Sequence, residues 1–451
     1  MVTVILVSPP YKGLVREPIG LYYLSSVLNF NGISTTIVDF NIELPSRTGF
    51  QEYIRKLAPK IVGFTSFTFN FSAAKKIMEE IKHVNPKIIT VMGGVHVSAI
   101  PKIILEENRD LDYVVYGEGE ITLLELCKHI LEGDEVNKID GLAFRDQEEV
   151  IVNPQRDLIK NLDELPSPSR ELLPLKKYPV ILVQTSRGCP YSCIFCNINT
   201  FYGRKIRFRD PKKVIDECEH VISKFGSRNF FFFGDSFTFN PSWIEGFCDE
   251  IIKRKLEFNW ACETRVDNVD FPMLKKMREA GCVEIQYGID YGDEDVLKNL
   301  GKNIPMSCVE EAVTWAKKAG LYTGGFFIFN VPGENKETME KTFQLIQKVP
   351  IDAIEVNLLT PFPGTPLWSN PGHYNMRIIE DNFDYYTTKK YVMENMDFPQ
   401  KDFVPAFKNL LKRLNFIPNY PLEIYDFLKK NIELNVWRKG RFSRYLKLLK
   451  Q

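Results

Sequence analysis

Three cysteines, Cys189, Cys193 and Cys196, lie within eight residues in the stretch TSRGCPYSCIFCNIN. Thiols cluster this tightly in a reducing compartment when they bind a metal or carry out redox chemistry. Structural zinc takes four ligands, usually as two separated pairs, but in this sequence no further Cys or His lies within twenty residues. A cubane [4Fe–4S] cluster takes one thiolate per iron. Three cysteines therefore predict a cluster with one iron open to a small chelating ligand.

Composition limits the class of protein. The chain has 451 residues with 58 basic and 58 acidic side chains, so its zero formal charge gives no general attraction to nucleic acid. The length indicates two or three domains. The start MVTVILVSPP lacks the basic segment of a signal peptide, and no stretch reaches the ~18 apolar residues of a membrane span. Cysteines outside the cluster are scattered, which favours a cytoplasmic location and buried thiols rather than disulfides.

Residues 1–135 alternate short apolar runs with segments of helical periodicity, which predicts a doubly wound parallel α/β sheet. The strand candidates are TVILVSPP, STTIVDF, IVGFTSF, IITVMGG and DYVVYGEGE. Ligands of such sheets bind at the carboxyl ends of the strands, where small residues let a backbone approach closely. The candidate binding residues there are Ser8, Thr65, Ser66, Gly93, Gly94 and Gly117. Many flavodoxin-like domains have such turns, so the pattern alone predicts the sheet and leaves the ligand open.

Three further segments follow the first domain. Residues 136–178 are predicted to be an extended linker, because LDELPSPSRELLPLKKYP is rich in proline. Residues 179–372 carry six strand candidates, which predicts a partial (β/α)6 barrel of the TIM type with its chemistry at the carboxyl strand ends. The cysteines follow the first of these strands. Residues 373–451 are helical and aromatic in pattern, which predicts a small helical C-terminal domain.

The cysteine segment resembles the CxxxCxΦC signature of radical S-adenosylmethionine (SAM) enzymes, with Phe195 as the aromatic position. The resemblance implies a [4Fe–4S] cluster on the three cysteines and SAM chelating the open iron. It also implies an external electron donor of the flavodoxin or ferredoxin type, whose electron cleaves SAM to a 5′-deoxyadenosyl radical. FFFGDSFTFN resembles the motif that receives the SAM amino group, with Asp235 as the acid. Gly234 stands where many relatives carry a second acid.

Two later segments extend the resemblance along the barrel. CETRVDNVD resembles the segment whose arginine, here Arg265, pairs with the SAM carboxylate, and a guanidinium fork suits a carboxylate. YGIDYGDEDVLKNLGKNI resembles the fourth-strand motif, with Asp290 where a glutamate usually contacts the ribose. GGFFIFNVPGENKET and LLTPFPGTPLW match the fifth- and sixth-strand segments. The alternative for each polar residue is an ion pair or a cap at a strand end.

The first domain, with PIGLYYLSSVLNFNGISTTIVDF and MGGVHVSAIPK, resembles the cobalamin-binding subclass of these enzymes. The resemblance implies cobalamin laid across the strand ends. The DxHxxG motif, whose histidine binds cobalt in other methyltransferases, is absent after the first strand. His96 follows a later Gly-Gly turn, where it is a candidate both for a cobalt ligand and for a cap. The expected cofactor is therefore cobalamin without a protein imidazole on its lower face.

The predicted function is cobalamin-dependent methylation of an unactivated carbon in a small-molecule or lipid substrate. One alternative is a radical SAM oxidative cyclase or carbon–carbon bond-forming enzyme, and another is a non-catalytic metal-binding protein. The related methylthiotransferases that modify tRNA carry a second cysteine triad in their first domain. Residues 1–126 contain no cysteine, so a nucleic-acid substrate is not expected.

The tail LNVWRKGRFSRYLKLLKQ carries six basic residues and no acid, interleaved with aromatic and leucine side chains. It is interpreted either as a packed C-terminal helix or as an anchor that contacts anionic lipid at a membrane surface. The second interpretation predicts peripheral membrane association.

Overall fold

The computed structural model describes residues 3–11, 15–42 and 47–414. The chain forms two compact units. Of the described residues, the first unit contains those up to Leu182 together with Asn197–Arg209, and the second contains Val183–Cys196 and residues 210–414. The segment that directly follows the last cysteine of the cluster motif thus belongs to the first unit.

Strands and helices alternate along most of the described residues. The strands are β1 (Val4–Ser8), β2 (Thr35–Asp39), β3 (Ile61–Thr65), β4 (Ile89–Gly93), β5 (Tyr113–Val115), β6 (Leu142–Asp146), β7 (Glu149–Val152), β8 (Ile181–Gln184), β9 (Ser186–Arg187), β10 (Arg207–Phe208), β11 (Asn229–Phe233), β12 (Asn259–Thr264), β13 (Cys282–Asp290), β14 (Tyr322–Phe329), β15 (Ala353–Leu358), β16 (Met376–Ile378) and β17 (Met393–Asn395). The helices are α1 (Ile19–Phe30), α2 (Arg47–Leu57), α3 (Phe71–Val84), α4 (Val95–Ala99), α5 (Pro101–Glu107), α6 (Gly119–Glu132), α7 (Ile198–Tyr202), α8 (Pro211–Phe225), α9 (Pro241–Lys253), α10 (Phe271–Glu279), α11 (Glu294–Asn299), α12 (Met306–Lys318), α13 (Lys336–Lys348), α14 (Pro366–Ser369) and α15 (Gln400–Arg413).

The first unit is built on a seven-stranded sheet in the order β2-β1-β3-β4-β5-β6-β7. Strands β1 to β5 are parallel, as the alternating pattern predicts. Strand β1 is buried along its whole length, because helices cover both faces of a doubly wound sheet. The carboxyl ends of these five strands therefore share one edge.

Residues 136–178 do not form the extended linker that the sequence predicts. Their first part forms the antiparallel hairpin β6–β7, which adds two strands to the sheet beside β5. The short apolar runs LAF and VIV drive this pairing, since Leu142, Ala143 and Phe144 are buried. The last part packs on the first unit, where the Tyr178 hydroxyl donates to Asp39 Oδ2 at 2.6 Å.

The second unit contains a six-stranded sheet in the order β15-β14-β13-β12-β11-β8, as the partial barrel predicts. Its outer face is packed with aromatic rings such as Phe232, Phe247 and Trp260. Along β14 and β15 buried residues alternate with half-buried ones, so the concave inner face is partly accessible to solvent. Because β11 to β15 are parallel, the loops after them meet at one end of the barrel.

The predicted helical C-terminal domain, 373–451, is described only as far as residue 414. Residues 373–414 belong to the second unit and contain an antiparallel hairpin, β16–β17, besides helix α15. Helix α15 packs on the barrel, with the Phe407 and Phe329 ring centroids 5.2 Å apart. The basic tail LNVWRKGRFSRYLKLLKQ lies outside the described residues. Among the helices of the described ranges, none is long and apolar enough to span a bilayer.

Candidate functional site

The cysteine loop follows β8 and β9 and is held from two sides within the second unit. The Ile194 N–H donates to the carbonyl oxygen of Leu300 at 3.1 Å, and the Ile194 carbonyl accepts from the Leu367 N–H at 3.1 Å. Gly301 has a φ of +74°, and a Cβ there would lie 2.5 Å from the Ser192 carbonyl oxygen. Glycine is required at this point because the turn after α11 passes so close to the cysteine loop.

The thiols of Cys189, Cys193 and Cys196 are reduced and half-buried. Burial raises the pKa of Cys193, while the positive charges of Lys302 and Arg265 act in the opposite direction. A metal ligand must be a thiolate, which nearby cations favour. Of the six other cysteines, which were expected to be buried, five are buried and Cys308 is only half-buried.

The donor set, three thiols on one loop, is of the kind that a cubane cluster takes. Within the described ranges, no three His, Cys, Asp or Glu side chains converge closely enough to hold one ion. The thiolates of a cubane cluster each bind a different iron, so they do not need to converge on one point. Three reduced thiols on one clamped loop are the ligands that a [4Fe–4S] cluster with one open iron requires.

Asp235 lies next to the start of the cysteine loop. Its Oδ2 accepts the backbone N–H of Gly188 at 2.5 Å. Gly234, just before it, packs on the end of β8, where a Cβ would lie 2.8 Å from Thr185 Oγ1 and would also contact Ser186 Oγ. The second acid of many relatives therefore has no space in this chain.

Arg265, directly after β12, is held on two sides. Its Nε and Nη2 donate to the Asp267 carboxylate at 2.9 and 2.7 Å. Its guanidinium carbon lies 3.7 Å from the ring centroid of Tyr191, which belongs to the cysteine loop. Nη1 is buried and finds no hydrogen-bond partner among the described residues. Sequence reasoning found Arg265 but missed Tyr191, whose contact arises only when two loops meet, and Asp267, which lies two residues after Arg265 on the same loop.

Asp290 ends β13 in a left-handed conformation with a φ of +68°. It is buried and forms an ion pair with Lys302, whose Nζ also donates to the Gly288 carbonyl at 2.9 Å. The structure thus shows Asp290 in an ion pair, which was the alternative to a ribose contact. The ribose contact itself stays a prediction. Lys302 was missed, although it follows Gly301 in the fourth-strand segment. Phe195 is half-buried in the cysteine loop.

Four predicted residues of the first unit meet at the carboxyl edge of its sheet. The Ser66 N–H donates to the Gly93 carbonyl at 2.8 Å. Gly94 has a φ of +102°, and a Cβ there would lie 2.6 Å from the Ser66 carbonyl oxygen and 3.2 Å from Thr65 Oγ1. The loops after β3 and β4 are therefore packed backbone against backbone.

The other two predicted residues, Ser8 and Gly117, form hydrogen bonds elsewhere along the same edge. The Ser8 hydroxyl accepts from the Asn41 amide at 3.2 Å. The Gly117 N–H donates to Ser98 Oγ at 3.1 Å, and Gly117 has a φ of +76°. Both hydrogen bonds are made to residues outside the four that meet after β3 and β4. Ser8 and Gly117 therefore lie on turns of their own.

His96 is 1% exposed inside α4. Its Nδ1 lies 3.2 Å from the Thr68 hydroxyl, and its ring contacts Phe71 with centroids 4.8 Å apart. Burial lowers the pKa of His96 to about 4, so the imidazole is neutral near pH 7. These contacts fix the ring within the domain.

An aromatic pair of which one ring is exposed, missed by sequence reasoning, lies on the loop after β3. Phe67 is 44% exposed and stacks on Phe69, with ring centroids 5.5 Å apart and planes inclined by 2°. Tyr11 packs edge-on against Phe69 at 5.8 Å. A flat apolar surface beside a turn of small residues suits a planar macrocycle, which fits the corrin of cobalamin.

Comparison with known proteins agrees with these features. Residues 183–346 match the Radical SAM superfamily, and residues 12–127 match the B12 binding domain. The chain is 33% identical over 407 residues to an uncharacterized methyltransferase of Pyrococcus horikoshii, covering 88% of each protein. It is 30% identical over 465 residues to the anaerobic magnesium-protoporphyrin IX monomethyl ester cyclase of Cereibacter sphaeroides, covering 98% of this chain and 73% of that protein.

A solved structure shares the fold. It is the radical SAM methyltransferase TsrM of Kitasatospora setae with cobalamin and a [4Fe–4S] cluster bound. The TM-score is 0.71 at 21% identity, over 81% of this chain and 77% of that one. Fold and cysteine loop together define a radical SAM enzyme that carries a B12-binding domain.

The chain belongs to the cobalamin-binding radical SAM enzymes. The predicted family, the α/β fold class and the cofactor set that goes with this family, namely a [4Fe–4S] cluster, SAM and cobalamin, are confirmed.

Proposed function

We propose that this enzyme cleaves SAM at a cluster held by Cys189, Cys193 and Cys196 and, with cobalamin, methylates an unactivated carbon of a small molecule. One observation carries the proposal. The three reduced thiols lie on one clamped loop whose own Tyr191 packs on Arg265, and that arginine keeps a buried, unpartnered donor among the described residues. The similarity to a methyltransferase over 88% of the chain supports it.

Each site residue has a role in this proposal. When bound, the cluster would supply the electron that cleaves SAM, and cobalamin would supply the methyl carrier. Arg265 pairs through Nη1 with the SAM carboxylate, and Asp235 receives the SAM amino group beside Cys189. Asp290 is the candidate for the ribose contact, although Lys302 holds its carboxylate.

The carboxyl edge of the first sheet holds cobalamin in this proposal. Thr65, Ser66, Gly93 and Gly94 offer backbone groups, and Phe67 offers an apolar ring surface. Ser8 and Gly117 lie at the ends of β1 and β5 on the same edge. An external donor of the flavodoxin or ferredoxin type supplies electrons, and the cytoplasm is the expected compartment because thiolate clusters persist where thiols stay reduced.

Labelled SAM tests the reaction. Anaerobically reconstituted enzyme is incubated with SAM bearing a ¹³C methyl group and with an extract of a strain that lacks its gene. A methylase uses two SAM molecules per turnover. One gives its labelled methyl group to the small molecule and leaves S-adenosylhomocysteine, and the other is cleaved to methionine and 5′-deoxyadenosine, which carries the hydrogen removed from the substrate carbon. Oxidative cyclisation, which the similarity to the cyclase favours as the second candidate, yields deoxyadenosine with no label in the product. A labelled product supports methylation, and deoxyadenosine alone contradicts it.

Arg265→Lys is expected to weaken SAM binding about tenfold or more while the cluster remains. Lysine carries a point charge in place of the planar guanidinium. The variant therefore loses the two-bond pairing with Asp267 and the unpaired Nη1 donor. The measurement is SAM affinity together with iron content. Arg278→Lys is the matched control, because Arg278 donates to the Cys282 carbonyl outside the site. Unchanged affinity in Arg265→Lys would assign the carboxylate to another residue.

Cobalamin bound to this protein is expected to be base-off without a protein nitrogen on cobalt. His96 is buried and engaged with Thr68, so its ring is not presented at the edge of the sheet. The Co(II) form should show no nitrogen superhyperfine splitting in its electron paramagnetic resonance spectrum, and His96→Ala should leave that spectrum unchanged. Splitting that disappears in His96→Ala would identify His96 as the ligand.

A further inference from the structure

Tyr191 has no assigned role in the cysteine motif, yet it joins several loops of the second unit. It lies between Cys189 and Cys193, and its ring stacks on the Arg265 guanidinium at 3.7 Å. Its hydroxyl donates to Asn268 Oδ1 at 2.8 Å, and the Asn268 amide donates to Ser236 Oγ at 3.1 Å. One side chain of the cysteine loop thus contacts the loop after β12 and is linked through Asn268 to Ser236 on the loop after β11.

The contacts of Arg265 leave one of its donors for a ligand. The Asp267 carboxylate binds Nε and Nη2 and so fixes the plane of the guanidinium. The Tyr191 ring covers one face of that plane. Nη1 is buried and finds no acceptor in the described part of the chain. Leaving a buried charged donor unpaired is costly, so such a group indicates a ligand oxygen.

The stack is itself supported by a second ring. Phe239, on the loop after β11, packs edge-on against Tyr191 with centroids 6.2 Å apart. Tyr191 is therefore fixed by an aromatic edge, a hydrogen bond and a cation at the same time. A cation over an aromatic face attracts more strongly when both are shielded from water, and the Arg265 side chain is only 11% exposed.

We infer that Tyr191 is a positioning residue that holds Arg265 so that Nη1 remains available to the SAM carboxylate. This inference rests on the proposed function. It connects the loop that carries the cluster ligands with the side chain that binds the ligand of the open iron. Loss of the ring leaves the guanidinium held by Asp267 alone, so Nη1 is fixed less firmly toward the SAM carboxylate.

The test compares Tyr191→Leu, which removes the stack, with Tyr191→Phe, which keeps the stack and removes the bond to Asn268. SAM binding is followed by the change that SAM causes in the electron paramagnetic resonance spectrum of the reduced cluster. Tyr191→Leu is expected to need about tenfold more SAM than the wild type. Tyr191→Phe is expected to need about two- to fivefold more. Iron content should be unchanged in both.

Two controls separate positioning from a general structural role. Tyr374→Leu removes a half-buried tyrosine that contacts His373 and should bind SAM as the wild type does. In the Arg265→Lys background, Tyr191→Leu should add little further loss, because both substitutions remove the same interaction.

Three outcomes would overturn the inference. Wild-type SAM affinity in Tyr191→Leu would show that the stack does not position Arg265. Loss of iron in that variant would show that the ring folds the cysteine loop instead. Full additivity with Arg265→Lys would show that the two residues act separately. A wild-type cluster whose spectrum does not respond to SAM would refute the proposed function itself, which distinguishes the two failures.

Discussion

Cys193→Ala is expected to lose the iron–sulfur cluster and all SAM cleavage. Three thiolates are the minimum that binds a cubane cluster while one iron stays open. Cys193 begins the turn to Cys196, whose N–H donates to the Cys193 carbonyl at 3.2 Å, and directly precedes Ile194, which clamps the loop. Iron, sulfide and 5′-deoxyadenosine are measured after anaerobic reconstitution and reduction.

The matched control is Cys308→Ala, which removes a half-buried thiol outside the cysteine loop. That variant should keep wild-type iron content and wild-type cleavage. If Cys193→Ala still produced deoxyadenosine, the assignment of the cluster ligands would be wrong.

Gly94→Ala is expected to destabilise the first unit by roughly 2–5 kcal/mol and to reduce cobalamin uptake. The residue has a φ of +102°, a conformation that side-chain-bearing residues rarely adopt. A Cβ would also lie 2.6 and 2.8 Å from the backbone oxygen and nitrogen of Ser66, which cannot move without opening the loop after β3. Thermal unfolding and bound cobalt measure the two effects.

Gly133→Ala provides the control for backbone strain without a clash. Gly133 has a φ of +84°, and no described atom lies within 4 Å of a Cβ there. Gly133→Ala should destabilise the first unit by about 1–2 kcal/mol and leave cobalamin uptake normal. Equal stability of the two variants would show that the packing of Gly94 on Ser66 does not matter for this edge.

The strands and the cysteine loop were predictable because their signals are local. Buried parallel strands form continuous apolar runs, and β11 and β14 stand out in the sequence as NFFFF and YTGGFFIF. The cysteine spacing is likewise contained in eight residues. Signals of this kind need no knowledge of tertiary structure.

Some of the missed features depend on tertiary contacts or on turns that the sequence does not announce. Tyr191 and Arg265 are 74 positions apart in the numbering of the chain (265 − 191), and their stack exists only because the loops after β8 and β12 end at the same side of the barrel. Lys302 reaches Asp290 only after the chain turns through Gly301. The hairpin β6–β7 was missed because its apolar runs are short and lie in a polar, proline-flanked segment.

Position 234 departs from the family pattern for a reason that only the structure reveals. From the sequence, Gly234 is simply an exception. In the structure it is the position where the loop after β11 packs on Thr185 and Ser186. Asp235 therefore remains the one acid of this motif, and it is the residue proposed to receive the SAM amino group.

Metal analysis of the full chain, reconstituted anaerobically with iron, sulfide and cobalamin, tests most directly whether this protein is a cobalamin-dependent radical SAM enzyme. We expect about four irons per chain from a cubane cluster, together with one cobalt. A full complement of iron with no cobalt under any condition would leave the radical SAM cluster in place and exclude a cobalamin-dependent methylase. Zinc in place of iron would contradict the cluster as well.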